Sequence, residues 1–306
     1  MNKKSLSFLV GALSIIIAAI LWSLDGTLIR PKFYTFSPIN VVFLEHLLGA
    51  IVLSPFLFFG YKKIRKIKRK DFLSLLWVCL FGGLIGTLAI TEAFFSAFRG
   101  EAIISTIIVL QKLQPIFALL LASIVLKEKL TKSFYIWAII AILSAYFIAF
   151  GSLGESIFSI DILNIPAFYA ILAAFAFGSS TVFGKTLVND LGFKLASSLR
   201  FLITTILAFI ILLLFGNFSD FGKLELLHWK LLGIIVFTSG AGALFLYYYG
   251  LRKVSASAST IFELAWPLSA ILFDYIFNEN ILNSTQIIFS FVLIISFFMI
   301  IKEKKK

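Results

Sequence analysis

Ionisable side chains stand inside long apolar stretches of this 306-residue chain. An ionisable group in hydrocarbon costs roughly 2.5–3.5 kcal/mol on insertion scales, so such groups tend to face a cavity or to pair with one another. Carboxylates and bases that share a cavity could bind a solute or carry a proton across a membrane. The positions concerned are Asp25, Glu45, His46, Glu92, Lys112, Arg200, Glu263 and Asp274.

Depth along the apolar stretches groups five of these residues. Helical rise places Lys112 and Glu263 near the middle of their stretches, and Asp25, Glu45 and Glu92 in a common outer half. We predict that these five side chains line one cavity, with Glu45 or Glu263 as the proton carrier. The competing interpretation is that Lys112 forms a buried structural pair with Glu92 or Glu45, which would fix helix registry.

Among the other candidates, His46, Trp22 and Trp266 each allow two interpretations. His46 titrates near neutral pH and could act in the cavity, or it could be a hydrogen-bonded core residue. Arg200 lies closer to the cytoplasmic end of its stretch, and Asp274 lies near the outer interface, where we expect it to be solvated. Trp22 and Trp266 lie deep in their stretches, away from an interfacial belt, and are expected as cavity walls or as plain core packing.

Two prolines, Pro115 and Pro267, occupy equivalent places in two of the apolar stretches. Proline removes a backbone hydrogen bond and kinks a helix, and the carbonyls it frees can line a cavity. We predict helix kinks at both positions, which serve either substrate contact or a fixed bend for packing.

No catalytic motif is found in the sequence. It has no phosphate-binding glycine loop ending in Lys-Ser/Thr, no His-Glu-x-x-His and no Gly-x-Ser-x-Gly. The two histidines, His46 and His228, belong to different stretches, and the single Cys79 excludes a disulfide framework or a multi-cysteine metal site. We therefore expect no catalytic residues, no metal and no cofactor.

Apolar stretches long enough to cross a bilayer position these residues. The chain is 60% hydrophobic and 14% charged, whereas soluble domains carry about 25% charged residues. A helix crosses ~30 Å of hydrocarbon with about 20 residues, and lipid leaves helices as the only option at this length. The sequence thus predicts an all-α integral membrane protein with ten transmembrane helices. The ten stretches are Ser5–Leu24, Ser37–Tyr61, Phe72–Thr91, Gly100–Leu126, Ser133–Gly154, Ile162–Gly184, Phe201–Ser219, Leu231–Leu251, Val254–Phe277 and Asn280–Ile301.

Basic residues between the stretches predict the orientation. With the N-terminus inside, 20 Lys and Arg fall on the cytoplasmic side and five on the outer side, Arg30 among them. This bias predicts cytoplasmic N- and C-termini in a cell membrane protein. The net charge of +12 then needs no nucleic-acid partner, because the basic run Tyr61–Lys70 (YKKIRKIKRK) is expected to touch anionic lipid.

The second half of the chain echoes the first. An offset of 155 lays Ala18–Ser23 on Ala173–Gly178, an offset of 153 lays Phe94–Arg99 on Tyr247–Arg252, and the two prolines align at 152. We take residues 1–151 and 162–302 as two repeats of five helices. An odd number of spans inverts the second repeat relative to the first, which predicts a cavity where the halves meet.

The stretch Tyr247–Ile281, YYYGLRKVSASASTIFELAWPLSAILFDYIFNENI, resembles the last third of an EamA-type transporter of the drug/metabolite transporter superfamily. Aromatic residues, a basic turn, small residues, a mid-helix proline and a glutamate follow one another, and Gly100–Thr131 repeats the pattern. The resemblance covers essentially the whole chain and implies a solute carrier. Such families often place an arginine in the second helix of each repeat. Arg200 fits that position in the second repeat, whereas Glu45 occupies it in the first, which argues against an anionic cargo.

These observations together predict a secondary transporter that moves a small metabolite by alternating access, as an exporter or a proton-coupled exchanger. The excess of intramembrane carboxylates over bases favours an amino-acid-like, cationic or zwitterionic cargo. The alternative is a membrane-embedded enzyme acting on a lipid or isoprenoid head group, which would need polar residues clustered at one interface. The expected partners are the small-molecule substrate, the bilayer and possible coupling protons, with the chain a monomer or homodimer.

If Glu45 and Glu263 carry the coupling proton, replacing both by glutamine abolishes transport driven by a pH gradient. Uptake into proteoliposomes with and without the gradient measures this effect. Unchanged transport in the Glu45→Gln, Glu263→Gln double variant would contradict the assignment.

Overall fold

A computed structural model describes residues 3–150, 165–279 and 281–303, and every regular element within these ranges is helical. Nine helices in the described part are long and apolar enough to cross a membrane, and a bent pair makes a tenth. The predicted all-helical membrane architecture is confirmed, while the repeat limits at 151 and 162 lie outside the described residues. The helices are α1 (Lys3–Phe33), α2 (Pro38–Leu53 with Pro55–Ile64), α3 (Arg69–Phe98), α4 (Ile104–Val125), α5 (Lys132–Ala149), α6 (Ile165–Asp190), α7 (Phe193–Phe215), α8 (Leu226–Lys253), α9 (Ala256–Phe277) and α10 (Ser284–Glu303).

Two spans differ from the sequence prediction. Helix α1 does not end at Leu24 but continues as a π-helix and a 3-10 turn to Phe33. Helix α2 is not one straight span, because it bends by 78° between its two segments. The second segment begins at Pro55, which has no N–H to donate, and both the N–H and the Oγ of Ser54 turn back to the carbonyl of Ile51.

Backbone breaks recur at matching places in the two halves. Helix α4 is interrupted at Lys112 and Leu113, and α9 at Glu263 and Leu264. In each case a proline follows within a few residues and cannot donate to the carbonyl four positions earlier. Helix α3 has a π-helical stretch at Val78–Ile85, and α8 is divided into Leu226–Phe237 and Ala241–Lys253.

The packing of the helices is symmetric between the halves. Helix α1 packs on α8 and α9, and its counterpart α6 packs on α3 and α4. Helices α2 and α7, α4 and α9, and α5 and α10 each pack on their own counterpart. Exchanging the halves leaves this set of neighbours unchanged, as expected for two repeats related by a pseudo-two-fold axis.

Glycine allows a close approach of this kind between α1 and α8. A Cβ built on Gly250 would lie 2.6 Å from the carbonyl oxygen of Gly11 and 2.8 Å from Ile15 Cγ1. Backbone atoms cannot move aside as a side-chain tip can, so the two helices depend on the missing methyl group. Small residues at such contacts let membrane helices pack through their backbones.

We expect the Gly250→Ala substitution to destabilise the protein by about 1–3 kcal/mol through overpacking. The matched control is Gly233→Ala in the same helix, where a Cβ meets nothing within 4 Å. Thermal unfolding in detergent should show a lower midpoint for the first variant only. Equal midpoints for the two variants would contradict the close packing.

Candidate functional site

A cavity of about 190 Å³ lies between the two halves of the protein. Its lining residues come from α1 to α4 and from α6 to α9, while α5 and α10 contribute none. The sequence-predicted residues that line it are Trp22, Asp25, Glu45, His46, Lys112, Arg200, Glu263 and Trp266. Lining residues that sequence reasoning did not single out include Arg30, Gln111, Gln114, Thr91, Phe94, Phe177, Thr181 and Tyr247.

A buried arginine joins two carboxylates at one wall. Arg30 donates to Asp25 Oδ2 from Nη2 at 2.5 Å and from Nε at 3.0 Å, and the same Nη2 lies 3.0 Å from Glu45 Oε2. Its Nη1 also lies 3.3 Å from the hydroxyl of Thr91. All three charged side chains are less than a tenth exposed. The cluster connects α1, α2 and α3 through charge-assisted hydrogen bonds, which are stronger than neutral ones.

Local backbone geometry explains how Arg30 reaches this cluster. The segment Asp25–Ile29 is π-helical, so residues five apart lie near each other on one face. The sequence prediction assigned Arg30 to the outer loop because it ended the first span at Leu24, and that assignment is wrong. The spacing of five residues between Asp25 and Arg30 was the signal that could have revealed the pair.

Glu263 is the centre of a second polar group, at the break in α9. Tyr247 Oη donates to Glu263 Oε1 at 2.8 Å, and Gln114 Nε2 donates to Oε2 at 2.7 Å. Gln111 extends the hydrogen-bond network by donating to Gln114 Oε1 at 2.9 Å, and the hydroxyl of Thr181 lies 2.7 Å from Tyr247 Oη. Both oxygens of Glu263 thus accept hydrogen bonds from neutral donors. Through Gln114, Thr181 and Tyr247 the group as a whole links α4, α6, α8 and α9.

Aromatic rings form much of the remaining wall. The ring of Trp266 stacks on Phe94, with centroids 6.3 Å apart and planes 10° apart, and Lys112 Nζ lies 4.5 Å above it. Trp22 and Tyr247 pack against each other with centroids 5.2 Å apart. Lys112 therefore contacts an aromatic face as a cation–π partner, rather than Glu92 or Glu45.

Arg200 and His46 form a further part of the cavity lining. Arg200 donates from Nη2 to the carbonyl of Gly82 at 2.7 Å and from Nη1 to Tyr248 Oη at 3.1 Å. The Nδ1 of His46 lies 2.8 Å from the carbonyl of Val42. A carbonyl only accepts, so Nδ1 carries a proton and donates in this hydrogen bond.

Glu92 does not line the cavity. It pairs with Arg99 at 2.7 Å near the C-terminal end of α3, and Arg99 also binds Glu101 at 2.8 Å. All three side chains are at least partly exposed. The hydrogen bond from Arg99 lowers the pKa of Glu101 below its usual value. The expected cavity role of Glu92 therefore finds no support in its position.

The charges around the cavity balance. Its ionisable lining residues, with histidine neutral, are the acids Asp25, Glu45 and Glu263 and the bases Arg30, Lys112 and Arg200. Three formal negative charges and three positive charges sum to zero. The excess of carboxylates inferred from the sequence arose from omitting Arg30 and from including Glu92 and Asp274, neither of which lines the cavity.

Known proteins resemble this chain over nearly its whole length. The profile of the EamA-like transporter family matches residues 9–150 and 164–302. A protein of Fusobacterium nucleatum named riboflavin transporter ImpX is 39% identical over 295 residues, which are 95% of this chain and 97% of that relative. An uncharacterised transporter of Methanothermobacter thermautotrophicus is 26% identical and is aligned over 89% of this chain and 79% of its own length. One solved crystal structure aligns with a TM-score of 0.69 at 15% identity over 97% of this chain and 96% of that one, a likeness of fold alone.

We expect the Arg30→Gln substitution to destabilise the protein by about 3–5 kcal/mol, because it leaves two buried carboxylates without their cation. The matched control is Arg99→Gln, since Arg99 also joins two carboxylates but is a third exposed and contributes little. Thermal unfolding midpoints in detergent measure the difference. A control variant as unstable as Arg30→Gln would contradict the role of burial.

Proposed function

Because the chain belongs to the EamA-like transporter family, we propose that its central cavity carries an uncharged or zwitterionic solute with a planar aromatic ring across the cell membrane. Riboflavin is the first candidate. The chain is a membrane transporter, and the proposal concerns its substrate and its mechanism. The observation on which it chiefly rests is a charge-balanced cavity with aromatic walls, formed by both halves.

The aromatic walls suit a flat ring. Trp266, Phe94, Trp22 and Tyr247 present ring surfaces at the cavity, and aromatic pairs prefer offset-stacked or edge-to-face contacts with a bound ring. The relative named as a riboflavin transporter shares 39% of its residues with this chain. Riboflavin is an uncharged molecule that combines a flat heteroaromatic ring with a polyol chain.

The polar side chains suit the edges of such a molecule. Gln111, Gln114, Thr91 and Thr181 line the cavity and offer donors and acceptors to ring carbonyls, ring nitrogens and hydroxyls. A few convergent polar groups in an apolar pocket are typical of small-molecule sites. The balanced charge gives a cationic amino acid no net attraction, whereas a zwitterion remains compatible.

A sealed end supports alternating access. Glu128, just after α4, accepts hydrogen bonds from the backbone N–H groups of Ala256 and Ser257 at 2.8 and 3.1 Å, and from the Ser257 hydroxyl at 2.6 Å. Ala256 and Ser257 are fully buried. The start of α9 is therefore closed against the end of α4.

The opposite end of the same helix pair is less buried. Counting back from the two prolines, the counterpart of Ala256 is Ile104, at the start of α4. Ile104 is 40% exposed and its neighbour Ile103 is 66% exposed. A seam closed at one end and exposed at the other is the asymmetry that alternating access requires of inverted repeats. We place both termini in the cytoplasm, as the basic loops predict, which makes the closed end cytoplasmic.

Transport explains the polar residues better than an enzyme does. A membrane enzyme acting on a head group would gather them at one interface. Here they come from eight helices around a cavity between the halves. Proton coupling through Glu263 or Glu45 remains part of the proposal, because both carboxylates lie at the cavity and in hydrogen-bond networks with neighbouring helices.

We expect the purified protein to bind riboflavin, with quenching of flavin fluorescence, and to carry it into proteoliposomes. Trp266→Ala should weaken binding about tenfold, because an aromatic pair contributes about 0.5–1.5 kcal/mol beyond its buried area. The control is Trp229→Ala, a tryptophan 47% exposed on the outside of α8, which should leave binding unchanged. Absence of riboflavin uptake by the unsubstituted protein would overturn the choice of substrate.

A further inference from the structure

The bent end of α2 and the loop after it form a surface that the transport cavity does not use. The segment Pro55–Ile64 is turned by 78° from Pro38–Leu53. Taking Pro38–Leu53 as the membrane-crossing part of this bent pair, a segment at 78° to it runs close to the membrane plane. It begins where the span ends, so it lies at the level of the lipid headgroups.

One side of this short helix is apolar and faces outward. Phe58 is 77% exposed and Phe59 is 87% exposed. The helix is held to the bundle by another residue, Phe56, whose ring stacks on Phe245 of α8 with centroids 5.5 Å apart. The two exposed rings are therefore free to enter the acyl chains beside the bundle, as the apolar face of an interfacial helix does.

The other component of this surface is a dense cluster of basic residues at the end of the short helix and just after it. Seven of the nine residues from 62 to 70 are basic, and all seven are exposed. None of the seven forms an ion pair with any residue that the structure describes. The cluster comprises Lys62, Lys63, Arg65, Lys66, Lys68, Arg69 and Lys70.

We propose that residues 55–70 form an interfacial anchor that binds anionic phospholipid headgroups. Phe58 and Phe59 insert between acyl chains, and the basic cluster neutralises the phosphates above them. Each basic residue near an anionic surface contributes about 1 kcal/mol, or roughly fivefold in affinity. Lipid is the partner because the preceding segment of α2 already places this surface at a bilayer.

The anchor is continuous with a cavity wall. Helix α2 also carries Glu45 and His46, so lipid bound to Pro55–Ile64 holds the end of a helix that lines the site. The anchor acts on the support of the cavity and not on solute recognition, which makes the proposal independent of the substrate.

Titration of short-chain phosphatidylglycerol into the full-length protein in neutral detergent tests the charged part. The triple variant Lys62→Gln, Lys63→Gln, Arg65→Gln should bind it roughly 100-fold more weakly, from about fivefold per charge. The matched control is Lys127→Gln, Lys129→Gln, Lys132→Gln, which removes three exposed charges from another loop and should weaken binding less than the first triple, because these lysines lie outside residues 55–70. Equal weakening by both triples, or equal competition by inorganic phosphate or an oligonucleotide, would overturn the proposal.

A fluorescent label tests the apolar part. The single native Cys79 is fully buried, so Phe59→Cys provides one accessible site for an environment-sensitive maleimide. Its emission should shift to the blue on reconstitution into bilayers containing phosphatidylglycerol. An emission maximum typical of water in those bilayers would show that the helix does not enter the lipid.

Discussion

A hydrocarbon solvent offers no hydrogen-bond partner, and the whole structure depends on that constraint. Backbone groups facing lipid must be satisfied within their own helix, so irregular backbone is tolerated only where protein or a cavity surrounds it. The interruptions of α4 and α9 obey this rule, because Lys112 and Glu263 lie at the breaks and line the cavity. Helices α5 and α10 contribute nothing to the cavity and are continuous.

The same constraint applies to the charges, and the protein meets it in three ways. Arg30 is compensated by two carboxylates. Lys112 lies on the face of a tryptophan, and Arg200 donates to a carbonyl and a phenol. Only the first is an ion pair, so counting acids and bases along the sequence does not reveal how each charge is stabilised.

Much of this architecture could be predicted from the sequence, because apolar length and odd-numbered repeats are one-dimensional properties. The spans, the repeat and five of the six charged cavity residues follow from hydropathy and helical rise. Arg30 and Glu92 were misplaced because the sequence does not show where a span continues as a π-helix, nor which partner a carboxylate at a helix end selects. Gln111 and Gln114 were missed because a search for ionisable groups ignores amides. The bend at Pro55 was signalled by Ser54-Pro55, but the bent segment packs on α7 and, through Phe56, on Phe245 of α8, which the sequence does not show.

The closed end of the transporter has a further consequence. Glu128 caps the start of α9 with three hydrogen bonds, beside a small apolar cluster that includes Ala122 and Ala256. On opening, water replaces each of these bonds, so the net cost is only about 0.5–1.5 kcal/mol per bond. A closure of this kind behaves as a latch with a shallow energy minimum. In the proposed alternating-access cycle, the two orientations can then stay close in free energy, which would let a modest solute gradient drive the cycle in either direction.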